Sequence, residues 1–417
     1  MQKPKGTYDV IENRDIILYI EKLFKKVMEN YDYNYIRTPI FESSELFHRS
    51  VGETTDIISK ETYDFLDKGG RNMTLRPEGT AGVVRSFIEN KLYATESLPY
   101  KCWYTGPMYR YERPQSGRCR EFYQFGTEVF GCDNPVMDAE VISIPVTIYK
   151  LLGLKGVKVK INSIGDKESR ENYKNALINY FKPYIETLCS DCQTRYLKNP
   201  LRILDCKIDS DKEIFKKVPK MIDYLNEESK KFFEEVKEYL DILNIEYEID
   251  HNLVRGLDYY THTVFEVVAD IKEFKSQNVL CGGGRYNNLV ENLEGPSMSG
   301  VGFALGLERL LNALEAENIT IPKEQLDLYV ISLDEDKEAF SLTMFLRTAG
   351  FSVNTDYLSR SLKSNFKRID KLNPKYIIIL GHDEVNNNYV TFKNNETKET
   401  IKINNDDLVE YLDSLVE

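Results

Sequence analysis

Two short alternating runs, Cys102-Trp103-Tyr104 and Phe122-Tyr123-Gln124-Phe125, flank the polar segment Arg113-Pro114-Gln115-Ser116-Gly117-Arg118. Alternation of period two on both sides of a turn bearing proline and glycine predicts an antiparallel hairpin over about 100 to 131. Four arginines crowd this hairpin, at 110, 113, 118 and 120, whereas only Glu112 and Glu121 lie between 110 and 121. Guanidinium forks match phosphate oxygens in pairs and stay charged at any working pH. The hairpin is therefore a local cationic surface on a chain whose formal net charge is −12. That total argues against indiscriminate nucleic-acid binding and leaves room for a specific anionic ligand.

The pattern around the hairpin divides the chain. A length of 417 residues exceeds the usual single domain. Residues 14 to 30 place Ile16, Ile17, Ile20, Leu23, Phe24 and Val27 at helical spacing, with charged residues between them. Tyr35 to Phe41 is expected to be extended, because Pro39 confines Thr38 to the β region. Residues 168 to 245 are charge-rich and mostly helical by pattern, an insertion between two halves of one sheet. Strands are predicted at 264 to 268 and 279 to 281, and a helix at about 302 to 317, starting from Gly302-Phe303-Ala304-Leu305-Gly306-Leu307. Asn318 to Lys323 reads as a linker. Beyond it, Leu328-Tyr329-Val330-Ile331 and Tyr376-Ile377-Ile378-Ile379-Leu380 are continuous apolar runs of the kind buried parallel strands show. With helical segments between and after them, they predict a small α/β domain of about 90 residues.

Seven scattered cysteines are not a secreted disulfide framework, and a reducing compartment fits them. The N-terminal residues carry no apolar signal core, and no stretch approaches membrane-spanning length, so a cytoplasmic chain with no membrane partner is expected. Cys189-Ser190-Asp191-Cys192, with Cys206, has the first-pair spacing of a zinc site. No histidine lies between 49 and 250 to complete it. These thiols are read as free, and no metal site is identified.

Three further segments concentrate polar chemistry: Leu75-Arg76-Pro77-Glu78-Gly79-Thr80, Arg255-Gly256-Leu257-Asp258-Tyr259-Tyr260-Thr261, and Cys281-Gly282-Gly283-Gly284-Arg285-Tyr286. The glycine triplet lacks the Gly-Lys-Ser/Thr ending of a P-loop. Close backbone approach beside a substrate is the preferred reading, with Arg285 and Tyr286 behind the site and a plain strand-end turn as the alternative.

Taken together, these segments resemble the class II aminoacyl-tRNA synthetases. The arginine hairpin looks like their motif 2, Gly300 to Arg309 like motif 3, and Arg37-Thr38-Pro39-Ile40-Phe41-Glu42 like motif 1, whose proline lies at the dimer interface of that class. Arg255 to Thr261 with Cys281 to Tyr286 resembles the two segments peculiar to histidyl-tRNA synthetases, and Lys5-Gly6-Thr7-Tyr8-Asp9 resembles their opening. The resemblance covers nearly the whole chain, with the motifs in the family's order. It implies an α/β class with an α+β catalytic domain over 1–320, built on an antiparallel sheet with flanking helices and the helical insertion at about 168–245. A small α/β anticodon-binding domain over 326–417 would follow.

The same resemblance implies a site. Glu78 and Thr80, with Gln124, would hold the α-amino group of histidine, Gly79 would belong to the same histidine-binding segment, and Glu128 and Tyr260 would read the imidazole nitrogens, with Tyr259 lining that end. Arg110 and Arg255 would be the catalytic pair on the substrate carboxylate and α-phosphate. Arg118 would reach the terminal phosphate of ATP, and Phe122 and Arg309 would sandwich the adenine. Implied partners are ATP with Mg²⁺, L-histidine, the histidine tRNA and a second copy of the chain. Arg113 and Gln115 at the hairpin tip are further tRNA candidates. In the last domain Arg360, Lys363, Lys367 and Lys371 recur at helical spacing, either an RNA phosphate footprint or an ordinary solvated face. The main rival is a histidine-binding regulatory paralogue of ATP phosphoribosyltransferase without ligase activity. Such chains lack the last domain and lose catalytic residues, both of which are present here.

Overall fold

The structure is a computed structural model and describes residues 1–52, 55–204, 206, 208–271, 278–321 and 325–415. It comprises two compact units, Met1–Ile321 and Pro322–Glu417. Of the expected linker, Pro322 and Lys323 lie outside the described residues.

The first unit is organised by an eight-stranded sheet. Its order is Asn34–Tyr35, Tyr100–Tyr109, Glu121–Phe130, Gly300–Gly306, Val279–Arg285, Thr261–Ala269, Val157–Ser163 and Tyr247–Ile249. Only the two outermost pairings are parallel. The central hairpin pairs Tyr100 with Phe130 through to Tyr109 with Glu121, which sets the arginine-bearing turn beyond the sheet's end.

The segment expected to begin a helix at about 302 is a strand to Gly306, and the helix runs Leu307–Ala316. The reason is periodicity. Val301, Phe303 and Leu305 face the core, while Gly302, Ala304 and Gly306 face the opposite cavity. Glycine is a poor helix former, and here the small residues give the sheet a low floor where a ligand could lie. Behind the sheet, helix Arg14–Asn30 buries Ile17, Ile20, Phe24 and Val27 of the predicted stripe and Met28 besides, while Ile16 and Leu23 stay half-buried. Phe24 packs edge-on to Trp103 at 5.6 Å between ring centroids and meets Phe125 at 4.7 Å.

Helices Lys167–Phe181, Ser190–Lys198 and Glu227–Ile242 lie between strands Val157–Ser163 and Tyr247–Ile249. The Asp166 side chain caps the first of them by accepting from the Ser169 amide at 2.9 Å. A separate apolar cluster of Tyr173, Leu177, Phe181, Leu188, Cys192, Ile203 and neighbours forms the insertion's own core.

The second unit has a five-stranded sheet ordered Val353–Thr355, Leu328–Ser332, Tyr376–Leu380, Tyr389–Asn394, Thr400–Asn404. Leu328–Ser332 and Tyr376–Leu380 are parallel neighbours, as their continuous apolar runs imply. Helix Leu362–Leu372 begins after Arg360, whose guanidinium is paired with Asp356 at 2.5 Å. Arg360 therefore does not share the face of Lys363 and Lys367, which stay exposed on the helix. Helical spacing breaks down at that residue because Asp356 binds the Arg360 amide and guanidinium and holds the residue ahead of the first turn.

Candidate active site

Above the glycine-lined floor lies a cavity of about 400 Å³, within the usual range for small-molecule sites. Its walls include Glu78, Thr80, Arg110, Arg118, Phe122, Gln124, Glu128, Arg255, Tyr259, Tyr260 and Arg309, so residues from both ends of the first unit's sequence converge here. Gly79 is the exception among the expected residues of this wall. A Cβ there would come within 2.2 Å of the Tyr104 ring, so its role is to let the backbone pass that aromatic. Arg113 and Gln115 are exposed at the hairpin tip, outside the cavity.

One end of the cavity is built on carboxylates. Glu78 accepts the amides of Thr80 and Ala81 at 2.7 and 2.9 Å, where helix Thr80–Glu89 begins and its dipole favours an anion. Burial nevertheless raises its pKa. Glu128 is fully buried and accepts from the Thr80 hydroxyl at 2.7 Å, the Tyr104 hydroxyl at 3.3 Å and the Tyr286 hydroxyl. Burial pushes its carboxyl up to about 8, although the Tyr286 and Thr80 hydrogen bonds favour the anion. Tyr286, expected behind the site, thus contacts the specificity candidate directly. Tyr104 belongs to the site without any sequence signal, since nothing in its local sequence marks a hydroxyl that reaches Glu128 across a strand pair.

The other end is built on arginines. The Arg110 Nε donates to the Pro77 carbonyl at 2.8 Å, and its guanidinium lies 5.2 Å from the Phe122 ring centroid. Arg118 pairs with Glu112 at 3.0 Å. Arg255 pairs with Glu266, and Gly282 makes room for it: a Cβ at Gly282 would stand 2.3 Å from both terminal nitrogens. Burial disfavours the Arg255 cation, but Glu266 together with Tyr260, Cys281 and Tyr259 outweighs it and the pKa rises. The Arg309 guanidinium donates to the Val279 carbonyl at 2.8 Å. Burial, then Arg118, lower its pKa, the signature of a cation short of counter-charge. The opening segment closes this end, because Tyr8 donates to Glu308 at 2.7 Å and the Gly6 carbonyl accepts the Arg120 amide at 2.8 Å.

The loop carrying Arg255 to Tyr260 is braced from the insertion. Arg170 donates to the Tyr260 carbonyl at 3.0 Å, Arg202 to the Gly256 carbonyl at 2.9 Å, and Asn199 to Asp258 at 3.1 Å. Nothing in the insertion's sequence marks Arg170, Asn199 or Arg202 for this role, and only the tertiary contacts reveal it.

Comparison with known proteins agrees with the geometry. The family model described as histidyl-tRNA synthetase matches residues 17–310, and that of an anticodon binding domain matches 327–415. The histidine–tRNA ligase of Oceanobacillus iheyensis is 50% identical, covering 99% of this chain and 97% of its own, and that of Bacillus licheniformis is 49% identical over 98% and 97%. The crystal structure of apo Staphylococcus aureus histidyl-tRNA synthetase superposes with a TM-score of 0.84 at 45% identity, covering 99% of each chain. The matches span both units and name the ligase, which decides against the regulatory paralogue. An arginine-walled cavity beside a buried carboxylate pair, in a chain matched end to end by these enzymes, places it in the histidyl-tRNA synthetase family.

Proposed function

We propose that this chain activates L-histidine with ATP to histidyl-adenylate and pyrophosphate, then transfers histidine to the 3′ end of its tRNA. The observation that carries the reading is the buried Oε1 of Gln124, which has no hydrogen-bond partner among the described residues. A buried acceptor left unpaired costs on the order of 1–3 kcal/mol. The α-ammonium of an amino acid supplies the missing donor, and Glu78 in the same cavity supplies the counter-charge.

Each remaining group then has a task. Thr80, whose hydroxyl proton goes to Glu128, keeps a lone pair for the ammonium. Glu128 takes an imidazole N–H, and Tyr260 and Tyr259 close that end. Phe122 and Arg309 offer an aromatic face and a guanidinium plane for adenine, and Arg118 leaves Glu112 for the terminal phosphate. ATP enters as its Mg²⁺ complex, a substrate that brings its own cation. The histidine carboxylate is already an anion, so its attack on the α-phosphorus needs no protein base. One carboxylate oxygen bonds to phosphorus, the α–β bridging bond breaks, and pyrophosphate leaves with the electron pair. Arg110 and Arg255 neutralise the charge that grows on the α-phosphoryl oxygens, held in place by Pro77 and Glu266.

The second copy of the chain docks where apolar surface is left open. Ile40, Phe41, Phe65 and Leu66 are 42%, 52%, 42% and 67% exposed on or beside the three-stranded sheet Phe41–Ser43, Asn72–Leu75, Tyr63–Leu66, and association removes such a patch from water. The tRNA anticodon end lies on the second unit, with Lys363 and Lys367 as phosphate contacts, and Arg113 and Gln115 meet the acceptor end. Unpaired thiols fit a reducing cytoplasm, and no described helix is long and apolar enough to cross a membrane.

Charging of a histidine tRNA transcript with labelled histidine tests the reading. The full chain forms an acid-labile histidyl ester on that tRNA and on no other. Labelling of a different tRNA, or none, contradicts it.

A further inference from the structure

The insertion brings together four ligand-type side chains that the active site does not use. Cys189, Cys192, Cys206 and Asp209 place their sulfur and carboxylate oxygen atoms within 4.8 Å of one another. The last three are buried, and Cys189 is half-buried. The fourth ligand-type group beside Cys189, Cys192 and Cys206 is thus an aspartate three residues after Cys206, not a histidine.

We propose that these residues bind a structural zinc ion. Ligands at about 2.3 Å from zinc lie roughly 3.8 Å apart along a tetrahedral edge. The cluster has edges of nearly that length: Cys189 Sγ is 3.7 Å from Cys206 Sγ, which is 3.7 Å from Asp209 Oδ2. Both cysteine turns carry amide-to-sulfur hydrogen bonds that favour thiolates. The Cys192 amide donates to Cys189 Sγ at 3.5 Å, and the Asp209 amide to Cys206 Sγ at 3.3 Å. Cys189 also caps helix Ser190–Lys198, so its sulfur sits at a positive helix end. Around the cluster, Lys212 pairs with Asp209 Oδ1 at 2.7 Å and the Cys189 amide donates to Oδ2 at 2.8 Å, orienting the carboxylate as outer partners of a metal ligand do.

Three thiolates select a soft, tetrahedral ion over Mg²⁺ or Ca²⁺, and four protein ligands leave no open position for substrate. On binding, the three thiol protons pass to solvent and four metal–ligand bonds form. The consequence reaches the active site. Ion coordination ties helix Ser190–Lys198 to the segment around Cys206, and between them lie Asn199 and Arg202, which hold Asp258 and the Gly256 carbonyl. The ion fixes the platform on which the Arg255 loop rests.

The full chain, produced with zinc in the medium and purified without chelators or a metal-binding tag, should contain about one zinc per chain by elemental mass spectrometry. Cys192→Ser and Asp209→Ala should each lose most of it, and Cys132→Ser, whose thiol lies outside the cluster, should keep it. Wild-type protein stripped with chelator and reloaded with Co²⁺ should show the strong visible bands and thiolate charge transfer of a tetrahedral site, an outcome independent of whether any variant folds. Hydrogen exchange after stripping should rise in residues 188–209 and in the 255–260 loop. Less than about a tenth of a zinc per chain with no tetrahedral cobalt spectrum, or a Cys189–Cys206 disulfide in the native protein, overturns the proposal.

Discussion

The Tyr286 hydroxyl donates to the buried carboxylate of Glu128, 158 residues earlier in the chain. That bond joins the arginine hairpin strand to the end of the glycine-triplet strand. It sets the orientation of a carboxylate enclosed by three hydroxyls.

Glu128 makes stability depend on pH in an unusual direction. Burial moves its carboxyl from 4.5 to about 8. Between those values the folded chain keeps a proton that the unfolded chain has released. Its contribution to stability is therefore fully present at low pH and falls as pH rises to about 8, by up to about 1.4 kcal/mol per pH unit. The Tm of ligand-free protein should fall more steeply between about pH 5 and about pH 8 in wild type than in Glu128→Gln. Parallel curves would assign the dependence to other groups.

Gly302 is the floor beneath that carboxylate. A Cβ there would stand 2.0 Å from Glu128 Oε2 and 2.3 Å from the Thr127 carbonyl. Gly302→Ala should displace Glu128 and raise the KM for histidine at least about tenfold, roughly the loss of one good hydrogen bond to a charged group. The KM for ATP should change far less. Equal loss for both substrates would indicate a collapsed sheet.

Arg255→Ala should lower kcat for adenylate formation by roughly 10²–10³. Its proposed partners gain charge in the transition state, so kcat should fall more than histidine affinity. Pre-steady-state quench measures the step directly, and a change confined to KM would make Arg255 a ground-state contact.

Lys363 and Lys367 are exposed on one face of helix Leu362–Leu372. Their joint reversal to glutamate should weaken tRNA binding and reduce the log–log salt slope by roughly 0.7–0.9 for each phosphate no longer neutralised. Arg360→Glu should act differently, by breaking the pair with Asp356. An unchanged slope in the double variant identifies the helix as a solvated face.

Much of this is legible in the sequence because local periodicity and burial agree. The hairpin, helix Arg14–Asn30 and the parallel strands of the second unit each carry a pattern that only one environment satisfies. Gly302 to Gly306, within strand Gly300–Gly306, reads as the start of a helix in the sequence because its apolar face is interleaved with glycine and alanine, which look neutral until the cavity opposite is known. The polar residues of the cavity wall follow from motif resemblance, but their partners do not. Tyr104 reaches Glu128, Glu266 pairs with Arg255 and Arg202 braces Gly256 only through long-range packing. Asp209 is silent for the same reason: a lone aspartate has no signature until the fold sets it beside three thiols.

Whether this cavity activates histidine is tested most directly by pyrophosphate exchange into ATP, measured without tRNA for each standard amino acid in turn. Exchange should depend on histidine alone and disappear into background in Arg255→Ala. Exchange driven by another amino acid, or its absence with histidine, would contradict the assignment.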